Sequence, residues 1–291
     1  MVWGSEPGEE TWSTMVWTEH TYVVEGVRLH LRRAGEGAPV LLLHGLTDSG
    51  RYWSRIASRL AESRQVFVLD QRGHGLSDAP DSGYRLADFA HDAAQVIQQL
   101  GIAPTAVVGH SLGARVALTL AASHPHLVTR LVLEDPPPDI LFSRWEELGV
   151  DEQRFAWFAG VRDLQALSRE YAVAHGQARF PHASLQEAED WADGKLRVRR
   201  VLWEPGGMYF EPDWLKALAQ VSSPVLLVRG EPQLGSLLDD VSEREALQVL
   251  RHGESVQIQG AGHLVHLEQA DAFLDAVLPF LDERQAQAAT S

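Results

Sequence analysis

A serine between glycines, a histidine on a glycine-rich loop and two adjacent carboxylates at a strand end are the residues of this chain best suited to covalent chemistry. The serine is Ser111, in Gly109-His110-Ser111-Leu112-Gly113. A serine hydroxyl is a weak nucleophile near neutral pH. It acts with a base beside it, and that base needs a carboxylate to fix its tautomer and stabilise its cation. His263, at the end of Gly260-Ala261-Gly262-His263, is the favoured base. His266, three residues on, is its rival, but it falls at the start of a closing helix, where packing is the simpler role. For the acid, Glu134-Asp135 ends an apolar run before three prolines. Strand side chains alternate between faces, so only one of the two can point at the histidine. Asp135 is favoured, Glu134 stands second, and Asp239, Asp240 and Glu231 are outsiders. The other place for an acid is the loop Gly230-Glu231-Pro232-Gln233, but where a carboxylate would be wanted it carries proline and glutamine. Glutamine can accept a hydrogen bond but cannot balance an imidazolium charge.

Attack on a carbonyl also needs backbone N–H groups aimed at the oxygen that gains charge. Leu112, just after the serine, supplies one. The loop His44-Gly45-Leu46-Thr47 after an apolar strand supplies the other through Leu46, with Gly45 letting the backbone turn inward.

These side chains must be carried by elements that end at one edge. Ala106–Val108 reads as a buried strand, followed by a tight turn at Ser111 and an Ala- and Leu-rich helix from Ala114 to Ser123. That order projects the hydroxyl at the end of a parallel sheet. Tyr22–Val24 and Val27–Leu31 read as a hairpin around Glu25-Gly26. Pro39–His44, Val66–Leu69, Val128–Leu133 and Pro224–Val228 are apolar runs fit for strands buried on both faces, and Ser255–Ile258 is a further strand. Helices are expected at Gly50–Leu60, at Leu86–Leu100 with a stop at Gly101, at Val241–Leu250 and at Ala270–Leu281. The alternation predicts a parallel sheet covered on both faces. It breaks at Pro136-Pro137-Pro138. From 139 to 220 the pattern is helical, polar and rich in aromatics, and it reads as a cap inserted between the two parts of a core, 20–138 and 221–291. Residues 1–19 read as an irregular arm. Within the cap, Trp145, Phe158 and Met208 are the guesses for side chains lining an apolar pocket over Ser111. Lys195–Arg200 carries four basic residues and reads first as a solvated helix face, second as an anchor for a substrate carboxylate.

The 291 residues carry 25 Lys and Arg against 40 Asp and Glu, a net charge of −15. An acidic surface argues against nucleic acid and anionic membranes as partners. The chain has no cysteine, which excludes disulfides, thiolate metal sites and a cysteine nucleophile. No run reaches the roughly 18 apolar residues of a membrane span. The scattered histidines show no metal-ligand spacing, so neither a metal nor a cofactor is expected. The expected location is cytoplasmic.

Taken together, His44-Gly45-Leu46, Asp70-Gln71-Arg72-Gly73-His74-Gly75-Leu76-Ser77, Gly109–Gly113 and Gly260–His263 resemble the α/β-hydrolase family over nearly the whole chain. The resemblance implies an eight-stranded, mostly parallel sheet with the cap inserted after the sixth strand. It makes Asp70–Ser77 a structural loop. It also places the acid, as in some relatives, after the sixth strand at Asp135. The dehalogenases and epoxide hydrolases of this fold use an aspartate nucleophile, and Ser111 argues against both. The expected activity is hydrolysis of a carboxylic ester or lactone of a small apolar substrate. Carbon–carbon bond hydrolysis of a ring-cleavage product, cofactor-free perhydrolysis of the haloperoxidase type and non-catalytic ligand binding are the alternatives.

Overall fold

The computed structural model describes residues 15–139, 159–181, 183–202 and 213–282. Its centre is one eight-stranded sheet in the order β1-β2-β4-β3-β5-β6-β7-β8. The hairpin β1 (Thr18–Val24) and β2 (Val27–Ala34) is antiparallel, and β2 joins β4 (Arg64–Leu69) antiparallel. From there β3 (Ala38–Leu43), β5 (Thr105–His110), β6 (Val128–Glu134), β7 (Val225–Arg229) and β8 (Gly253–Gln257) run parallel. The mostly parallel sheet expected from the apolar runs is present. β1 starts at Thr18, inside the stretch read as an arm, and Arg32 on β2 stacks over the Trp17 ring at 4.7 Å.

The apolar runs are continuous because both faces are covered. On one face, Leu41, Leu43, Phe67, Val107, Leu131 and Leu227 share a core with α2 (Leu86–Leu100) and α3 (Leu112–Ser123). On the other, Val40, Leu42, Val66, Val108, Val132 and Val228 pack with α1 (Ser54–Leu60) and, by way of Phe273 and Val277, with the final helix. α2 stops where the sequence predicts, because Gly101 takes the left-handed conformation (φ 66°) that closes a helix.

The described residues between β6 and β7 are largely helical, in keeping with the expected cap. α4 (Arg169–Arg179) is capped by the Ser168 hydroxyl, and α5 (Leu185–Arg197) opens with a Ser184/Glu187 capping box. Their Ala172, Val173, Phe180, Ala188 and Trp191 form a separate small core that Tyr52 of the main body joins. The next helix, α6 (Trp214–Gln220), falls in the stretch read as cap, yet its Trp214 and Leu218 pack into the large core with α3. After β7 come α7 (Asp240–Val249), the one-turn α8 (Val265–Glu268) and α9 (Ala270–Asp282).

The parallel register sets the carboxyl ends of β3, β5, β6 and β7 side by side. Leu43 pairs with Gly109, His110 with Glu134, and Glu134 with Val228. Ligand sites of such sheets lie outside this edge. Every candidate chemical group follows one of these strand ends or the nearby end of β8.

Candidate active site

Ser111 stands at the apex between β5 and α3 with φ 52° and ψ −113°, a backbone strain that a non-glycine residue rarely carries. The two glycines of the motif are required by contact. A Cβ on Gly109 would lie 2.2 Å from Gly113 O, and one on Gly113 would lie 2.1 Å from Leu43 O. Helix and strands therefore close tightly on both sides of the serine, and the Ser111 N–H is held by Glu134 O at 2.9 Å.

His263 reaches the serine from the loop after β8. Its Nε2 is 3.0 Å from Ser111 Oγ, and its Nδ1 is 2.6 Å from Asp135 Oδ2. With Asp135 accepting at Nδ1–H, the other nitrogen is free to accept the serine proton. The His263 loop sits close because Gly230 leaves room for it. A Cβ there would come 2.1 Å from Gly262 O.

Asp135 is the first residue beyond β6, fully buried, with φ 42°. Besides His263, its carboxylate accepts from Ser236 Oγ (2.6 Å) and from the backbone N–H groups of Leu237 (2.8 Å) and Leu238 (3.0 Å). Four donors thus hold a charge that water does not reach. Three of them come from the loop after β7, where Pro232 and Gln233 stand in place of an acid. That loop supplies the acid's donors rather than the acid.

The other carboxylates considered lie elsewhere. Glu134 turns to the opposite side and binds His266, through the backbone N–H and Nδ1, at 2.8 Å each. Burial alone would raise the Glu134 carboxyl, but the facing His266 and His110 hold it below its ordinary value. His266 stacks on Trp53 at 4.2 Å and meets Tyr52 edge-on at 5.1 Å. Asp239 caps α7 through the N–H groups of Val241 and Ser242. Asp240 pairs with Arg229, and Glu231 accepts from Gly260 N–H.

Of the two expected oxyanion donors, Leu112 follows Ser111 in the chain and Leu46 lines the same cavity as Ser111. Leu112 is the first residue of α3, so its N–H has no partner one turn back in the helix. Leu46 lies in a turn closed by Asp48 N–H to Gly45 O (3.3 Å). His44 Nδ1 lies 2.8 Å from Gly45 O, and His74 Nε2 lies 2.5 Å from Leu46 O. His74, pushed down to about 4 chiefly by burial, is therefore neutral and serves as loop scaffolding. The rest of its segment is equally structural. Asp70 accepts from Gly50 and Leu76 N–H groups, and Arg72 grips Asp92 through two bonds of 2.6 Å.

A cavity of about 330 Å³ opens onto Ser111 and His263, lined among others by Leu46, Val161, Trp191, Arg179 and Lys195. Trp145, Phe158 and Met208, the residues guessed for this lining, lie outside the described residues. The described lining is mixed rather than apolar, and two cap cations belong to it.

Ser236, and Lys195 in the contacts the structure gives it, are not legible in the sequence as parts of the site, whereas His110, inside the serine motif, reads as a packing or loop-bonding residue. Ser236 had no motif to mark it. His110 is buried within the serine motif, donates from Nε2 to His263 O (2.9 Å), and is pushed down to about 4 by burial. Lys195 belongs to the basic stretch whose first reading is a solvated helix face and whose second is a carboxylate anchor. It is buried, with Nζ 2.5 Å from both Thr47 Oγ1 and Asp48 Oδ1. Only its spacing on α5, one residue past the small Gly194, could have hinted at a face turned inward.

A strained serine between β5 and α3, bonded to a histidine after the last strand, on a sheet of this order, is the arrangement of an α/β-hydrolase. The chain belongs to the α/β-hydrolase fold family, whose sequence signature spans residues 38–270. It is 30% identical over 266 residues to 2-(acetamidomethylene)succinate hydrolase of Mesorhizobium japonicum, covering 88% of this chain and 92% of that one. It is 35% identical to a soluble epoxide hydrolase of Corynebacterium sp., covering 90% and 96%. The crystal structure of E-2-(acetamidomethylene)succinate hydrolase superposes with a TM-score of 0.71 at 25% identity, covering 92% and 100%. Among the described residues no helix is long and apolar enough to cross a membrane, and no group of three or more potential metal ligands occurs.

Proposed function

We propose that this chain is a serine hydrolase that cleaves a carboxylic ester or lactone through an acyl-enzyme on Ser111. The observation that carries the reading is the unbroken hydrogen-bonded line from Asp135 through His263 to Ser111 Oγ. Ser111 Oγ attacks the carbonyl carbon while His263 Nε2 takes its proton. The N–H groups of Leu46 and Leu112 receive the developing oxyanion. Asp135, fixed by Ser236, Leu237 and Leu238, stabilises the imidazolium. His263 then gives the proton to the leaving alkoxide, and a water activated by the same nitrogen releases the acid. A serine rather than a carboxylate at the apex favours acyl transfer over epoxide opening.

A second observation favours a substrate that carries a carboxylate. Arg179, the last residue of α4, lines the cavity and bonds no acidic side chain among the described residues; its guanidinium lies over the Phe180 ring at 5.4 Å. Lys195 in the same cavity is neutralised by Asp48. A relative named for a substituted succinate supports this reading. The same anchor would serve a ring-cleavage acid hydrolysed at a carbon–carbon bond.

The test is hydrolysis of 4-nitrophenyl esters of graded acyl length, together with 4-nitrophenyl succinate, by the wild type and Ser111→Ala. Turnover that vanishes in the variant supports the assignment, and turnover that persists overturns it. Arg179→Gln should lower kcat/KM for the succinate ester, relative to the butyrate, by about 10- to 100-fold, the worth of a charge-assisted hydrogen bond. An unchanged ratio removes the carboxylate anchor.

A further inference from the structure

We propose that Lys195 is a positioning residue for the oxyanion loop: from the cap it locks the turn that carries the Leu46 N–H, so that the hole is formed only with the cap seated. The inference rests on the roles given above to Ser111 and Leu46.

The turn Gly45–Asp48 is held on two sides. From the main body, His44 and His74 fix the carbonyls of Gly45 and Leu46. From the cap, Lys195 Nζ grips Thr47 Oγ1 and Asp48 Oδ1, the two residues that follow the Leu46 donor. The fit extends to backbone. A Cβ on Gly194 would stand 3.2 Å from Ser49 N and 3.3 Å from Asp48 C, so α5 seats its backbone directly on the loop.

A solvated lysine would not be built this way. Lys195 and Asp48 are both buried, whereas Arg197, Arg199 and Arg200 of the same basic stretch are exposed. The rings of Tyr52 and Trp191 flank the ammonium at 5.7 and 5.6 Å. Burial alone would raise the Asp48 carboxyl, yet with the Lys195 ammonium facing it the group lies at about 2. The ammonium and the carboxylate hold each other from opposite sides of the seam between cap and turn. Without Lys195, Asp48 is a buried carboxylate with no facing lysine, and the turn must shift to hydrate it. The Leu46 N–H moves with that turn. A donor displaced from the oxyanion weakens transition-state binding more than ground-state binding.

The experiment compares Lys195→Met, Lys195→Arg and Thr47→Val with the wild type on a neutral 4-nitrophenyl ester. It also measures inhibition by a trifluoromethyl ketone, which forms a tetrahedral oxyanion on the serine. Lys195→Met should lower kcat by about 10- to 100-fold, less than or equal to the loss of a whole oxyanion donor, with KM changed by no more than about threefold. Affinity for the ketone should fall by the same factor as kcat. Lys195→Arg should recover most of both. A Lys195→Met protein that melts earlier but keeps kcat and ketone affinity overturns the inference and leaves the serine mechanism standing. If Lys195→Met does not fold, Thr47→Val decides. It removes one grip without exposing a charge, and a kcat and ketone affinity equal to wild type would overturn the inference. A wild type without Ser111-dependent turnover overturns both readings together.

Discussion

Two acid–histidine pairs lie back to back at the end of β6, and they are built from neighbouring residues. Asp135 binds His263 at 2.6 Å; Glu134 binds His266 at 2.8 Å. Each joins a buried carboxylate to Nδ1 of an imidazole. The difference is at the far nitrogen. His263 Nε2 meets Ser111 Oγ beside the cavity, whereas His266 Nε2 is buried with no hydrogen-bond partner among the described residues, walled by Trp53, Tyr52 and Phe273. The same two functional groups thus make a candidate proton relay in one setting and a packing unit in the other. What separates them is a nucleophile within reach and a path for substrate.

That contrast can be broken experimentally, beginning with the largest effect. Ser111→Ala should remove about 10⁶-fold of kcat, the loss seen when a serine protease is stripped of its nucleophile, measured as ester turnover with folding checked by circular dichroism. Asp135→Asn should cost about 10⁴-fold by stabilising the wrong tautomer of His263. Glu134→Gln should leave kcat within about tenfold and instead cost about 1–3 kcal/mol of stability in denaturant titrations, because it weakens a buried charged hydrogen bond. A reversal of these two outcomes would exchange the roles of the pairs. Ser236→Ala removes one of four donors to Asp135 and should lower kcat by about tenfold, the worth of one hydrogen bond to a charge.

Stability should follow pH through the histidines around the site. His74 and His110 lie at about 4 in the folded chain, chiefly through burial, against an ordinary value of 6.5. Between those values the unfolded chain binds protons that the folded one refuses. Stability therefore falls as pH drops from about 6.5 to about 4, by about 1.4 kcal/mol per pH unit for each histidine at most. Glu134 and Asp48, both held below their ordinary values, contribute stability above those values and lose it as pH falls further. Urea midpoints that stay level from pH 7 to 4 would contradict this.

Much of the candidate site is legible in the sequence because local rules govern it. Ser111 is marked by the two glycines that its turn needs, and His263 by the glycine-rich loop after a strand. Strand alternation lets only one of Glu134 and Asp135 face the histidine, and Pro232 and Gln233 leave the other loop without an acid at the wanted position, so the acid is narrowed to this pair. The alternating apolar runs and the stop at Gly101 likewise come from local patterns. The rest depends on long-range pairing. Lys195 reads as solvated until Asp48, 147 residues away, is placed beside it. Ser236 gains its meaning only from Asp135, 101 residues earlier. α6 looks like cap by composition, but Trp214 and Leu218 find their partners on α3. The pocket guesses at Trp145, Phe158 and Met208 followed composition alone, and they fall outside the described residues.

The central claim is that the surroundings of Ser111 make it a nucleophile. Its most direct test is labelling of the wild-type protein with an aryl fluorophosphonate, followed by peptide mapping in a mass spectrometer. The account predicts one adduct, on the peptide carrying Ser111, that is lost in Ser111→Ala and greatly slowed in Asp135→Asn but not in Glu134→Gln. No adduct, or an adduct elsewhere that survives Ser111→Ala, would contradict it.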